Sequence, residues 1–373
     1  MPKALIRAEL DVPIKNGVIQ DLGRLENIKN TVEAVAAKGY EKILFGHMGR
    51  PQKVGNIPEL STKQLVPALS TILGENVEFC VDLDSVKNST SKIKLLENTR
   101  FDPREEQNSI DLANEYAALA DIYVNDCFSV SHREHSSLMA IADLLPAYQG
   151  DHLASEVKAL QSLLDNTEKP FIGIVGGAKV SDKLEICKKL VKTCDQVIIG
   201  GAMIFTFLLA KGLEVGNSLN EIDYVDEAKE MLATNRIILP VDIVTANSDD
   251  FSKNINTVAV DAIQKGTSGF DIGPKSVESF KEFLHSAKNI LWNGPMGMVE
   301  VPPFEQGTKA LAEVISQSQG YSLVGGGDSV SIVKKLGYED KFSHISSGGG
   351  AMLEFIEKGT LPTLKNLKKL ESL

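Results

Sequence analysis

Several features are scarce in this chain of 373 residues. It has one tryptophan, Trp292, and four cysteines, Cys80, Cys127, Cys187 and Cys194. The cysteines make no C-x-x-C pair and no metal-ligand spacing, which excludes a zinc module and a dithiol redox centre. Cys187 and Cys194 are seven apart on a predicted helix, so they share a face and read as core. Positive charge is in deficit: 39 Lys and Arg against 50 Asp and Glu give a net charge of −11. The broad basic field that nucleic acid requires is therefore missing. No run of about 18 apolar residues occurs, and "MPKALIRAEL" lacks the apolar core of a secretory signal. The expectation is a cytoplasmic protein with neither membrane nor nucleic-acid partners. There is also no Walker ending. "IVGGAKVSDK", residues 174–183, runs from an apolar stretch toward a helix, but its first lysine stands two residues after the glycine pair with no hydroxyl beside it.

What is present describes a folded α/β protein. Hydrophobic residues make up 43% and charged residues 24%, and the length predicts two domains, each with its own core. Strand-like runs begin near residues 4, 42, 77, 93 and 121, and again near 171, 197, 236, 257, 289 and 321. Amphipathic stretches such as "LENIKNTVEAVAAKG" separate them. Strand and helix alternating this often predict parallel sheets with helices on both faces, in two doubly wound, Rossmann-like domains. The rhythm breaks once, at "LLPAYQGDHLASEVKALQSLLDNTEKP". This predicts a linker helix over 151–168 between an N-terminal domain, 1–150, and a C-terminal domain, 169–352.

The two halves differ in composition. Six of the seven arginines precede the linker, as do His47, His132 and His135, whereas the glycine clusters lie after it. Arginine offers a planar fork suited to carboxylate and phosphate; glycine after a strand lets backbone N–H groups approach a nucleotide. Ligands in open parallel sheets sit beyond the carboxyl ends of strands, where Glu9, Asp11, His47, Arg50, Arg100, His132 and Arg133 are predicted to fall. One half thus reads as a small-polyanion site. In the other, "VGGGDS" and "HISSGGG" each open a helix, whose N-terminus favours negative charge. Asp328 fits a magnesium ion that bridges to phosphates, as well as a plain helix cap.

"LWNGPMGMVE" is too peculiar for a generic turn. Together with "GHMGRP", "LLENTRF", "YVNDCFSVSHREHSS", "GGAKVSDK", "GGGDS" and "HISSGGG" it follows the order of closely similar stretches in the phosphoglycerate kinases, from about residue 4 to 365. The chain resembles that family. The resemblance implies a 3-phosphoglycerate-binding N-terminal domain, a nucleotide-binding C-terminal domain and a terminal segment, about 353–373, that returns to the first. It implies Mg-dependent phosphoryl transfer between 1,3-bisphosphoglycerate and ADP, giving 3-phosphoglycerate and ATP. Catalysis is expected from Arg24, Lys179, Lys183, Gly327 and Gly350, with Asp328 on the metal. The substrate is expected on Glu9, Asp11, Arg24, His47, Arg50, Arg100 and Arg133. The nucleotide is expected on Gly177, Lys183, Gly201, Gly269, Asn293, Glu300, Gly326, Asp328 and Ser329. Glu156 and His344 match a pair that communicates across the family's hinge, and a monomer is expected. Departures are Glu9 and Asp11 where the family has Asp and Asn, Ser129-Val130 for Gly-Thr, and Ala202 for a third glycine.

Overall fold

The computed structural model describes residues 1–51, 57–166 and 168–373. Its contacts divide the chain into two compact units, Met1–Leu160 with Lys358–Leu373, and Gln161–Glu357. The first unit holds a seven-stranded sheet. From one edge to the other its strands are Lys368–Lys369, Ala147–Gln149, Ile122–Asn125, Lys3–Arg7, Glu41–Phe45, Ile93–Leu96 and Val77–Cys80. Every pairing is parallel. Side chains alternate across the sheet, as the two-residue period of a strand demands. Ala4 and Ile6 join one core with Leu25, Val32 and Leu69, while Leu5 joins another with Val86, Leu112 and Tyr116. Helices therefore cover both faces, and the strands read as continuous apolar runs.

The second unit repeats the plan. Its six-stranded parallel sheet runs Ile237–Ile238, Gln196–Ile199, Phe171–Val175, Asn289–Asn293, Tyr321–Gly325 and His344–Ile345. In each unit the first long strand, Lys3–Arg7 or Phe171–Val175, lies inside the sheet with later strands added on both sides. The connections leave it in opposite directions, opening a crevice beyond the strand ends.

Three expectations are corrected. The runs near 236 and 257 are not parallel strands of the main sheet throughout. Asp242–Asn247 pairs antiparallel with Asn256–Ala259 and with Thr267–Ile272, a strand not foreseen, in a separate three-stranded sheet. Only a short loop joins the first two, too short for the crossover that parallel pairing needs. The segment before the linker, expected to break the pattern, contributes the strand Ala147–Gln149. The linker helix spans Asp151–Asp165 rather than 151–168; Thr167, within that expected range, lies outside the described residues.

Candidate active site

In the first unit four neighbouring strands deliver their following loops to one edge. The Asp11 carboxylate accepts the Gly49 amide at 2.8 Å. Its other oxygen lies 3.9 Å from Arg24 Nη1 and 3.8 Å from His47 Nε2. Arg24 also donates to the Asp11 carbonyl, and Arg100 donates to the Gly49 carbonyl at 2.7 Å. Asp11, Arg24, His47 and Arg100 are thus one connected group around the Gly49 turn. Arg50 and Arg133 are exposed. The extra carboxylate at Asp11 is already matched by an amide and two cationic or donor groups.

A buried layer sets the chemistry of His47. Arg7 is fully buried, with Nη2 3.0 Å from His47 Nδ1 and Nε donating to Ser137 Oγ at 2.8 Å. Ser137 in turn donates to the buried Glu105. A guanidinium has no acceptor, so His47 Nδ1 accepts and the ring proton stays on Nε2. Burial holds the His47 proton affinity well below the ordinary range, reinforced by Arg7, Arg100, His135 and Arg24. His135 is likewise lowered to about 4, by burial and then by Arg100, Arg7 and Arg133. This edge therefore presents the neutral imidazoles of His47 and His135 among permanent guanidinium charges.

Glu9 is turned inward, with 2% of its surface exposed. It accepts the Ser129 amide at 2.7 Å and lies 3.7 Å from His152 Nε2, which is 3.8 Å from Glu156. Burial alone would raise the Glu9 carboxyl; the His152 bond and charge, Arg24 and the Ser129 amide outweigh it and bring it to about 2. Burial pulls His152 down, but Glu9, Glu156 and Asp126 lift it to about 9. Asp126, accepting the amides of His152 and Leu153, is pushed up to about 7 by burial. His152 was not foreseen as part of this group; its position four residues before Glu156 on a helix was the available signal.

In the second unit, loops at the strand ends are packed backbone against backbone. A Cβ on Gly176 would lie 2.0 Å from the Pro295 carbonyl oxygen, and one on Gly201 2.5 Å from the Gly177 carbonyl. Trp292 is buried and donates Nε1–H to the Gly294 carbonyl at 2.8 Å, so the lone tryptophan pins this turn from below. Ser329 Oγ accepts the Gly294 amide at 3.1 Å. Gly269 sits on the antiparallel sheet under the Phe205 ring, and Glu300 is exposed. Gly327 differs from the packed glycines: a Cβ there meets nothing within 4 Å. It opens the helix Gly327–Lys335, and the strand before it ends at Gly325 with Gly326 at φ 96°. Gly350 lies in the first turn of Gly349–Lys358. Two helix N-termini of adequate length thus follow neighbouring strands, the arrangement that holds phosphate oxygens.

Lys179 and Lys183 are four residues apart, the spacing of one helical turn, but no helix carries them. The helix begins only at Leu184, so Lys179 and Lys183 belong to the turn before it rather than to successive helical turns. The Lys183 ammonium is hydrogen-bonded to Asn293 Oδ1. Burial lowers its proton affinity, while the nearby Cys187, Asp182 and Asp328 pull it back up. Asp328 is exposed in the first turn of its helix. Among the described residues no cluster of three or more His, Cys, Asp or Glu is able to hold a metal alone. A single exposed carboxylate in the first turn of a helix suits magnesium, which keeps several waters and takes its other oxygens from phosphates.

The chain is thus an α/β protein of two doubly wound units, one with an arginine-rich edge and one with glycine-opened helices and a lysine turn. Comparison with known proteins gives the family. The profile described as phosphoglycerate kinase matches residues 2–359. Phosphoglycerate kinase of Fervidobacterium nodosum is 41% identical over 382 residues, covering 98% of this chain and 95% of that protein. That of a Thermus thermophilus strain is 41% identical, covering 98% and 97%. The solved phosphoglycerate kinase of Coxiella burnetii superposes with a TM-score of 0.86 at 34% identity, covering 100% of this chain and 96% of that one. The chain belongs to the phosphoglycerate kinase family.

Proposed function

We propose that the protein catalyses reversible, Mg-dependent transfer of the acyl phosphate of 1,3-bisphosphoglycerate to ADP, as a cytoplasmic, monomeric enzyme of glycolysis and gluconeogenesis. The single observation that carries this is the pairing of two unlike edges in one chain. One presents Arg24, His47 and Arg100 around the Gly49 turn; the other presents Lys179, Lys183 and two helix N-termini. On this reading 3-phosphoglycerate binds the first unit through Arg24, His47, Arg50, Arg100 and Arg133, and the nucleotide binds the second.

The chemistry asks for little proton transfer. A carboxylate and a nucleotide phosphate are both ionised at neutral pH, so no general base is required. What is needed is in-line placement and neutralisation of charge on the moving phosphoryl group. Arg24, Lys179, Lys183 and the amides at Gly327 and Gly350 fill that role. Asp328 would hold the magnesium ion, which supplies positive charge to the nucleotide phosphates when bound. Transfer follows closure of the two units, which excludes water from the reacting groups. An N-terminal domain of 1–150, a C-terminal domain of 169–352 with 353–373 on the first, and a Glu156–His344 signal across the hinge belong to the same proposal.

A kinase with an altered carboxylate acceptor is the reading that Glu9 and Asp11 invite. Their internal partners, His152 with the Ser129 amide and the Gly49 amide, argue against it. The test is a coupled assay with 3-phosphoglycerate and Mg-ATP. Turnover supports the proposal; retained ADP binding without turnover would sink it.

A further inference from the structure

The turn that carries Lys179 has no helix or sheet of its own to hold it. Phe171–Val175 ends before it, and the next helix begins at Leu184. Lys179 therefore lacks the i to i−4 bonds that fix a helical residue. Two ties bracket it instead. On one side the Gly177 carbonyl accepts the Met203 amide at 3.2 Å. On the other, the Glu221 carboxylate accepts the Ser181 amide at 2.9 Å and the Ser181 hydroxyl at 2.6 Å.

Both ties lead to the same rigid element. Met203 is the first residue of the helix Met203–Ala210, and the Glu221 amide donates to Thr206 Oγ1 on that helix at 3.0 Å. Thr206 is buried, so the anchor is fixed. Glu221 is itself held at the start of the short turn Ile222–Tyr224, its carbonyl accepting the Tyr224 amide at 3.1 Å. Its carboxyl is raised by burial but lowered further by the Ser181 hydroxyl and amide, the Val180 amide and the Lys179 charge. Lys179 is thus suspended between two pins, with a carboxylate at the second pin close enough to feel its charge.

We propose that Glu221 is a positioning residue for phosphoryl transfer: its carboxylate clamps the 178–183 turn through Ser181, so that the Lys179 ammonium is held where the transferring phosphoryl passes. Glu221 does not touch the substrate in this scheme; it acts through Lys179. The inference rests on the kinase reading given above. A transition-state contact is sensitive to displacement of about 1 Å, so loosening the turn should cost turnover rather than nucleotide affinity.

The test is a double-mutant cycle on the full chain, assayed with 3-phosphoglycerate and Mg-ATP, with thermal midpoints measured alongside. Glu221→Ala is expected to lower kcat roughly 10- to 100-fold while changing the KM for Mg-ATP less than about threefold. Glu221→Gln keeps an acceptor for the Ser181 amide and should restore most of the loss. Placed on a Lys179→Ala background, Glu221→Ala should add less than about a twofold further loss, because its route to the reaction has been removed. Independent, multiplying losses would overturn the inference, as would a Glu221→Ala kcat within about twofold of the unaltered chain. If Glu221→Ala does not fold, Ser181→Ala takes its place in the cycle, with the same non-additivity required. Absence of turnover in the unaltered chain would overturn the kinase reading and this inference together. Turnover that collapses with Lys179→Ala but ignores Glu221 and Ser181 would overturn this inference alone.

Discussion

The two sheets of this molecule share one plan and use it to present opposite chemistry. In each, the first long strand lies inside, later strands are added on both sides, and loops beyond the carboxyl ends make the site. At the first sheet the connections after the strands supply side chains: Arg24, Arg100 and a buried, neutral His47 around Gly49. At the second they are stripped to backbone, with glycines packed against glycines and helices opened at Gly327 and Gly349. On the proposed function, the shared plan sets where a ligand would sit and the residues at the strand ends set how it would be held. A guanidinium fork suits a small trianion; an amide row suits phosphate groups on a longer ligand.

The contrast is most exposed at Lys179, one of the few side chains to which the proposed mechanism gives a role in the backbone-built half. Lys179→Ala should lower kcat roughly 10²- to 10³-fold, the scale of losing a charged group aimed at the transition state, with little change in the KM for Mg-ATP. Equal losses in both quantities, measured by steady-state kinetics, would place Lys179 on the ground-state nucleotide instead. The matching removal in the first unit, Arg50→Ala, should raise the KM for 3-phosphoglycerate more than it lowers kcat, since an exposed arginine contributes mainly binding.

A second test concerns the buried charges that lie under the first unit's loops. His152→Asn leaves the buried Glu9 without its charged partner and should destabilise the first unit by about 3 kcal/mol near pH 7. The pH sign follows from the shifts. The His152 proton affinity rises from 6.5 to about 9, so its contribution is complete below about 6.5 and disappears as pH climbs through 9. The Glu9 carboxyl falls from 4.5 to about 2, so its contribution is present above 4.5 and disappears as pH drops through 2. Asp126, raised to about 7, works the other way and costs stability above its unfolded value. Urea unfolding of the variant and the unaltered chain should therefore show a gap that is widest between pH 4.5 and 6.5 and narrows as pH climbs through about 9. A gap independent of pH would mean that His152 acts through packing.

The third test separates two kinds of glycine within the second unit. Gly176→Ala puts a Cβ 2.0 Å from a backbone oxygen, and backbone cannot yield cheaply, so a loss of about 1 to 3 kcal/mol is expected. Gly327→Ala meets no protein atom and should leave stability within about 0.5 kcal/mol while raising the KM for Mg-ATP. If Gly327→Ala left nucleotide affinity unchanged, its open surroundings would have nothing to do with phosphate. In the sequence the two glycines look alike. "GG" after a strand announces close approach, but it does not say whether the approaching group is another loop or a ligand.

That contrast also marks how far the residues could be read in advance. Main-sheet strands were legible because parallel strands buried on both faces appear as short apolar runs, and Lys3–Arg7, Glu41–Phe45 and Asn289–Asn293 are of that kind. Ala147–Gln149 and Thr267–Ile272 were missed, the first for its Pro146 and Gly150 flanks, the second for its polar, glycine-bearing face. Lys179 and Lys183 were visible, but their four-residue spacing fits one turn of a helix, and the helix begins only after both, at Leu184. Glu221 was invisible for another reason: it acts on Ser181, 40 positions away, and no local pattern encodes such a pair; for His152 the spacing to Glu156 was a signal, but its tie to the distant Glu9 was not.

The mildest change bears on the arginine-rich edge alone. A carboxylate at Asp11 beside a trianionic ligand would be expected to weaken binding, and on that ground Asp11→Asn ought to lower the KM for 3-phosphoglycerate. In the structure, however, Asp11 accepts the Gly49 amide and faces Arg24 and His47, so its charge is already matched. Asparagine keeps the oxygen for Gly49 and loses only the attraction to Arg24, a half-exposed pair worth about 0 to 1 kcal/mol. The change should therefore move the KM by no more than about threefold, and the effect should shrink as salt rises. A tenfold drop at low salt would mean that Asp11 faces the ligand after all. It would also mean that the first unit, unlike the second, carries a charge opposed to its own purpose.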